Sequence, residues 1–160
     1  MTLTTTFLAL AATAALAGQG AAPTPAQSAD HRAEHAMGFD QQRTTHHFRI
    51  EADGGTIEVT AKDPSDKTSI DQIRMHLRHI AGAFADGDFS LPLFVHDTDP
   101  PGAAVMKDRR KTMTFSYAEM NAGGKVVIRT ADAAAKQALY EFLRFQIREH
   151  KTGDPMDALK

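Results

Sequence analysis

The sequence predicts an α+β domain: a ββα unit used twice, with four strands in one antiparallel sheet and two helices on one face of it. Three observations carry this. Two stretches of alternating apolar and polar residues each contain a Gly-Gly pair, Gly54-Gly55 and Gly123-Gly124. Each is followed by apolar residues at helical spacing. The two helical stretches also match in order, Ile73-Arg74-Met75-His76-Leu77-Arg78-His79 against Leu139-Tyr140-Glu141-Phe142-Leu143-Arg144-Phe145. In that match His76 and His79 stand where the second unit has Phe142 and Phe145.

The N-terminus is set aside first. Phe7 to Leu16 is an apolar run of signal-peptide length, too short to span a bilayer. Ala15-Leu16-Ala17 is a small-x-small cleavage pattern, so residues 1–17 read as a signal peptide, with a second cut as late as residue 22. This places the mature chain in the periplasm or outside the cell. Residues 18–43, rich in Ala, Pro, Gln and Ser, read as a flexible leader. Residues 44–155 form a single domain, followed by a tail at 156–160.

In the first unit, at 45–86, His46, Phe48 and Ile50 alternate with His47, Arg49 and Glu51. Asp53-Gly54-Gly55 signals a hairpin turn, and Ile57, Val59 and Ala61 return on the same face. Asp63-Pro64 or Thr68-Ser69 supplies the start of a helix that ends at Asp86-Gly87-Asp88. Ile73, Leu77, Ile80 and Phe84 form its apolar face. At about 100° per residue, His76 lies about 70° and His79 about 130° from the centre of that face. Residues 87–110 are a long connection holding Pro92, Pro100, Pro101 and Gly102, with an extended piece expected at Leu91 to Val95. The second unit, at 111–151, alternates Met113, Phe115 and Tyr117 with Thr112, Thr114 and Ser116, turns at Asn121-Ala122-Gly123-Gly124, and returns through Val126 and Ile128. Thr130 or Asp132 caps its helix. The apolar face holds Leu139, Phe142 and Leu143 and continues to Gln146 and His150.

The 160-residue chain has no cysteine, eight histidines, seven methionines and a net charge of −2. The near-zero charge gives no general attraction to nucleic acid or anionic lipid. No later stretch is long and apolar enough to cross a membrane. Without thiols, an exported metal-binding protein must use His and Met, and imidazole suits copper and zinc. His46, His76 and His79 are the first candidates, His46 because it ends the buried strand face and His76 because it borders the same core. His47, His96, Met75 and Met106 are lesser ones. His31, His35 and His150 read as solvated, and Met113, Met120 and Met156 as packing or tail residues. The ordinary alternative for each histidine is a hydrogen-bonded core or surface residue.

The leading function is therefore an exported soluble binding protein for a transition metal, copper first and zinc second. A chain without any cofactor, acting in protein interaction or self-assembly, is the alternative. The second helix is apolar over more than one face at Tyr140, Phe142, Phe145 and Ile147, a flank for either the long connection or a second copy in a homodimer. Haem held by His76 or His79 among Phe84, Phe89 and Phe94 is the third reading. No G-x-S-x-G, P-loop or dinucleotide fingerprint is present, so the sequence does not read as an enzyme.

The stretches M-G-F-D-Q-Q-R-T-T-H-H-F (Met37 to Phe48), I-R-M-H-L-R-H-I-A (Ile73 to Ala81) and F-L-R-F-Q-I-R-E-H-K-T-G-D-P (Phe142 to Pro155) resemble a group of small exported bacterial proteins of uncharacterised function. That resemblance implies export and carries no activity or ligand.

Overall fold

The structure is a computed structural model and describes residues 37–158. The expected signal peptide, the leader up to residue 36 and the last two residues of the tail lie outside the described residues.

Strands β1 (Thr44–Glu51) and β2 (Gly54–Ala61) pair antiparallel around a turn at Ala52-Asp53. Helix α1 (Lys67–Asp86) follows. Its N-cap is Asp66, later than Asp63 and earlier than Thr68, and the Asp66 carboxylate accepts from the Ser69 N–H at 3.2 Å. Gly87, at φ 81°, closes the helix in the left-handed conformation that glycine adopts without a Cβ clash. Two short helices, α2 (Ser90–His96) and α3 (Ala103–Asp108), occupy the connection. Strands β3 (Met113–Met120) and β4 (Gly123–Thr130) form the second hairpin. Helix α4 (Ala133–Glu149) ends the domain, capped by Asp132, which accepts from the Ala135 N–H at 2.8 Å.

The expected α+β class and the four-stranded antiparallel sheet are both present, and the order of strands and helices agrees with a duplicated ββα unit. The sheet order is β1-β2-β4-β3. The second hairpin repeats the first at a constant offset of 69 residues, from 44 to 113 and from 54 to 123. Ile57 pairs with its own counterpart, Val126, so a pseudo-two-fold axis passes through that pair. Gly54 opposite Arg129 and Thr60 opposite Gly123 are images of each other across it. The helices correspond at an offset of 66, because the connection into α4 (131–132) is three residues shorter than that into α1 (62–66).

The Gly-Gly pairs begin the return strands and lie just past the turns. A Cβ on Gly54 would overlap the Ile128 carbonyl oxygen, and a Cβ on Gly123 would overlap the Val59 carbonyl oxygen. Both glycines therefore permit the close approach of the two central strands. Helix α1 lies mainly over β3 and β4, whereas α4 lies mainly over β1 and β2. Each helix covers the other unit's hairpin, so neither unit buries its core alone. Ile73, Leu77 and Phe84 of α1 and Leu139, Phe142 and Leu143 of α4 are almost fully buried against Ile50, Val59, Val126 and Ile128. Each such side chain contributes about 1.5–3 kcal/mol of transfer free energy.

Two expectations are corrected. Leu91 to Val95 is helical, as part of α2. Asp88 accepts from the Ser90 N–H at 2.9 Å, and Pro92 sits in the first turn, where no backbone N–H is needed. The leader also does not run to 43: Met37 and Phe39 are buried in the core, and Asp40 caps a single 3₁₀ turn (Gln41–Arg43) leading into β1. The aromatic flank of α4 meets the connection: Phe145 and Ile147 are buried, and the Phe145 ring meets His96 edge-on at 5.1 Å.

Beyond α4 the chain returns along the free edge of β1. Asp154 accepts from the Phe48 N–H and from His47 Nδ1, each at 2.9 Å, and so occupies part of an open strand edge. Among the described residues no helix is long and apolar enough to cross a membrane.

Candidate functional site

A cavity of about 60 Å³ lies between the sheet and the helices, beneath α2. Four elements each bring one histidine to its wall. The alternation that buries Phe48 and Ile50 turns His46 of β1 inward. His76 borders the buried face of α1, His96 ends α2, and His150 is the residue that caps the C-terminus of α4. The remaining wall is apolar, with Phe48, Phe84, Phe142 and Met37 among its residues, and it includes one carboxamide, Gln146. Among the described residues, no Asp, Glu, Lys or Arg lines it. It therefore offers no paired carboxylates for acid/base work and no fixed charge.

Three of the imidazoles are neighbours. The His46 and His150 ring centroids are 5.2 Å apart with planes at 23°, and those of His96 and His150 are 5.2 Å apart with planes at 87°. His76 joins them through Phe39, whose ring lies 5.4 Å from His76 and 5.9 Å from His46. Burial pushes His46 down to about 4, helped by neighbouring His47. Burial likewise takes His76 to about 4, with His46 and His79 adding to it, and His150 to about 3, with His46 and His96 adding. A helix C-terminus favours a charged His, so at His150 burial outweighs the helix dipole. His96 is lowered by burial against the opposing pull of Gln146 and Glu149. All four are therefore neutral at pH 7, each with one ring nitrogen carrying a lone pair.

Gln146 Oε1 lies 3.1 Å from His96 Nε2. The oxygen accepts, so His96 Nε2 carries the proton and Nδ1 the lone pair. Among the described residues, two buried nitrogens of the wall have no partner: His46 Nε2 and Gln146 Nε2. Each such orphan costs about 1–3 kcal/mol.

Of the residues singled out in the sequence, the cavity gathers His46, His76 and His96. His79 is exposed and Met75 is 66 % exposed, so α1 turns both away from it. His47 faces the other side of the sheet, toward Asp154, and Met106 is buried in the core but does not line the cavity. His150, expected in solvent, belongs to the site, and Met37 and Gln146 join it. The signal for His150 and Gln146 is periodic: Leu139, Leu143, Gln146 and His150 repeat the spacing of Ile73, Leu77, Ile80 and Phe84. Among the described residues, no three His, Cys, Asp or Glu side chains are already placed to hold one metal ion. The cavity is also far below the about 300–1,000 Å³ of drug-sized ligand pockets, so a haem macrocycle does not fit it as it stands.

Compared with family models, with curated proteins and with solved structures, the chain matches none.

Proposed function

We propose that this chain is an exported binding protein whose imidazole-lined cavity takes one transition-metal ion, copper before zinc, through His46, His96 and His150. The observation that carries the reading is the buried, unpartnered Nε2 of His46 inside a cluster of neutral imidazoles. A ring nitrogen buried without a partner is costly, and in the tautomer that gives Nε2 the lone pair an ion would use it. Ring spacing agrees with this. An imidazole bound at about 2.0–2.1 Å places its centroid about 3.2 Å from the ion, so two ligands of a tetrahedral ion such as zinc have centroids about 5.2 Å apart, and cis ligands of a tetragonal Cu(II) about 4.5 Å. Two of the three ring pairs in this set stand at 5.2 Å. His96 also has the outer hydrogen bond of a ligating imidazole, with Nε2–H donated to Gln146. Uptake requires rotation of the rings so that their lone pairs converge. Copper ranks first because nitrogen donors bind it more tightly than zinc. Export is supported by the apolar run at residues 7–16.

Calorimetric titration of the chain with Cu(II) and Zn(II), beside His46→Ala and His150→Phe, tests this. Wild type should bind one equivalent. Both variants should lose at least tenfold in affinity while keeping the wild-type circular dichroism spectrum. Equal affinity in all three proteins would end the reading.

A second reading, an interaction module without a cofactor, is favoured by Leu93 and Phe94, adjacent and 40 % and 50 % exposed on α2. Sedimentation of wild type and Phe94→Asp would separate it: an assembly that survives the charge does not use this surface.

A further inference from the structure

The sheet has two outer strands, β1 and β3, related by the offset of 69 residues, from 44 to 113. A two-residue turn closes each hairpin, so the pair beside the turn is hydrogen-bonded, and alternate residues of the outer strand aim their main-chain groups away from the sheet. On β1 these include Phe48, whose N–H is taken by Asp154 of the returning tail. On β3 they are Met113, Phe115, Tyr117 and Glu119. Tyr117 is the counterpart of Phe48, and among the described residues nothing bonds its outward N–H. Natural edge strands are commonly defended by Lys, Pro or a bulge. β3 has none of these: it pairs residue for residue with β4, and Glu119 is its only charge.

We propose that the β3 edge pairs antiparallel with β3 of a second copy, joining two four-stranded sheets into one continuous sheet. The pairing needs no ligand and is independent of the metal reading. Full overlap of the outward groups sets the register: Ser116 meets its own copy at a two-fold axis, Phe115 meets Tyr117, and Met113 meets Glu119. The half-buried rings of Phe115 and Tyr117 become cross-strand pairs, and no like charges face each other along the strands. The helices fit this arrangement. α1 lies over β3 and β4 alike, about half a strand spacing inside the edge, so the two copies of α1 stand two spacings apart, about 9.5 Å, within the range of packed helices. Arg78 lies over the Tyr117 ring and Phe84 meets Phe115, so the axis passes beside exposed Gly82, which has no side chain to hold the facing helix off. One turn away on either side, Arg78 of each copy faces Asp86 of the other. That is complementary: Arg74 and Arg78 share the Glu119 carboxylate, and among the described residues Asp86 has no ion pair. The tail occupies β1 at Phe48, so each copy offers one fully open edge, and assembly closes at two copies.

Sedimentation of the metal-free chain at up to about 100 μM should show a dimer. Ser116→Lys and Ser116→Glu each set like charges opposite one another at the axis, on an exposed side chain whose replacement leaves the fold intact. Each variant alone should associate at least tenfold more weakly than wild type, with an unchanged circular dichroism spectrum. An equimolar mixture of the two should regain the dimer, because Lys then faces Glu. A wild type that is monomeric at that concentration overturns the proposal. So does a wild-type assembly larger than two copies. A dimer that both variants keep overturns it too and places the contact elsewhere, as at Leu93 and Phe94. A mixture that associates no better than its parts excludes this register and this edge.

Discussion

Two ends of one core, related by the pseudo-two-fold axis, differ most in their rings, imidazole at one and phenyl at the other. At one end His46 of β1 and His150 of α4 lie 5.2 Å apart. At the other, their counterparts by the offsets of 69 and 66 residues are Phe115 of β3 and Phe84 of α1, 6.2 Å apart and edge-on. The phenyl end is ordinary core: Phe84 also stacks on Phe89 at 4.5 Å and meets Phe142 at 5.9 Å, and every ring atom is content in an apolar setting. The imidazole end has the same frame but holds depressed pKa values and an unpartnered ring nitrogen. Since the same backbone accepts phenylalanine, histidine is not required there for packing. It lowers stability, which is why the histidine end is where a ligand is sought.

The largest expected effect is acid sensitivity confined to the histidine end. Folded His46 and His76 titrate at about 4 and His150 at about 3, against about 6.5 when unfolded. Between those values the unfolded chain binds more protons, so stability is full above about pH 7 and falls as pH drops through 6.5 toward 4 and 3. His96 acts in the same direction. Each tenfold difference in proton affinity between the folded and unfolded chain is worth about 1.4 kcal/mol. Relaxation around the first proton offsets part of this, and several kcal/mol are still lost. That is a large share of a typical 5–15 kcal/mol. Asp154 acts separately: although burial opposes it, bonds from Thr152, the Phe48 N–H and His47 hold its carboxyl below the usual range, so its contribution fades only at lower pH. Urea midpoints at pH 7.5, 5.5 and 4.5 should decline in that order. A constant midpoint would mean that the imidazoles are already solvated.

Next is the inverse exchange at the phenyl end. Phe84→His places a polar ring among Phe89, Phe115 and Phe142, at a cost of about 3–5 kcal/mol at pH 7.5. A loss below about 1 kcal/mol in chemical denaturation would show that the two ends are interchangeable and remove the contrast.

The symmetry itself is tested by Gly54→Ala and Gly123→Ala. Each new methyl meets a main-chain carbonyl of the facing central strand, which cannot move without disturbing the ladder. We expect losses of about 2–4 kcal/mol at both positions, the larger at Gly54, whose φ of 157° disfavours any side chain. A harmless change at one glycine and a severe one at the other would break the equivalence of the halves.

Strand alternation, matched Gly-Gly pairs and matched helices make the duplicated sheet legible, because their periods follow directly from backbone geometry. The connection is less so. Pro92 suggests an extended piece, yet a proline in a first helical turn costs no hydrogen bond. His46 and His76 are legible as residues bordering an apolar face. His79 is misplaced by its i, i+3 relation to His76, because angular distance from that face matters more. Gln146 and His150 continue the apolar face in spacing, but His150 reads as solvated, although α4 crosses the first hairpin and buries its last turn against β1. That crossing depends on which hairpin each helix covers, and no local spacing encodes it.

The smallest effect on stability should come from making the two ends alike. His46→Phe combined with His150→Phe copies the Phe115–Phe84 arrangement into a frame that already accommodates it. It removes one buried orphan nitrogen and adds apolar contact, against some overpacking near Phe48 and His96. The net change at pH 7.5 should lie within about 1–2 kcal/mol of zero. Two of the three most strongly shifted imidazoles are gone, so the midpoint should decline less than half as far between pH 7.5 and 4.5 as in wild type. Cu(II) binding should vanish. A double variant that unfolds at neutral pH would mean the histidines hold the fold, and the contrast between the ends would be one of packing. Retained acid sensitivity would place the titrating groups at His76 and His96. Retained Cu(II) affinity would exclude this end of the core as the metal site.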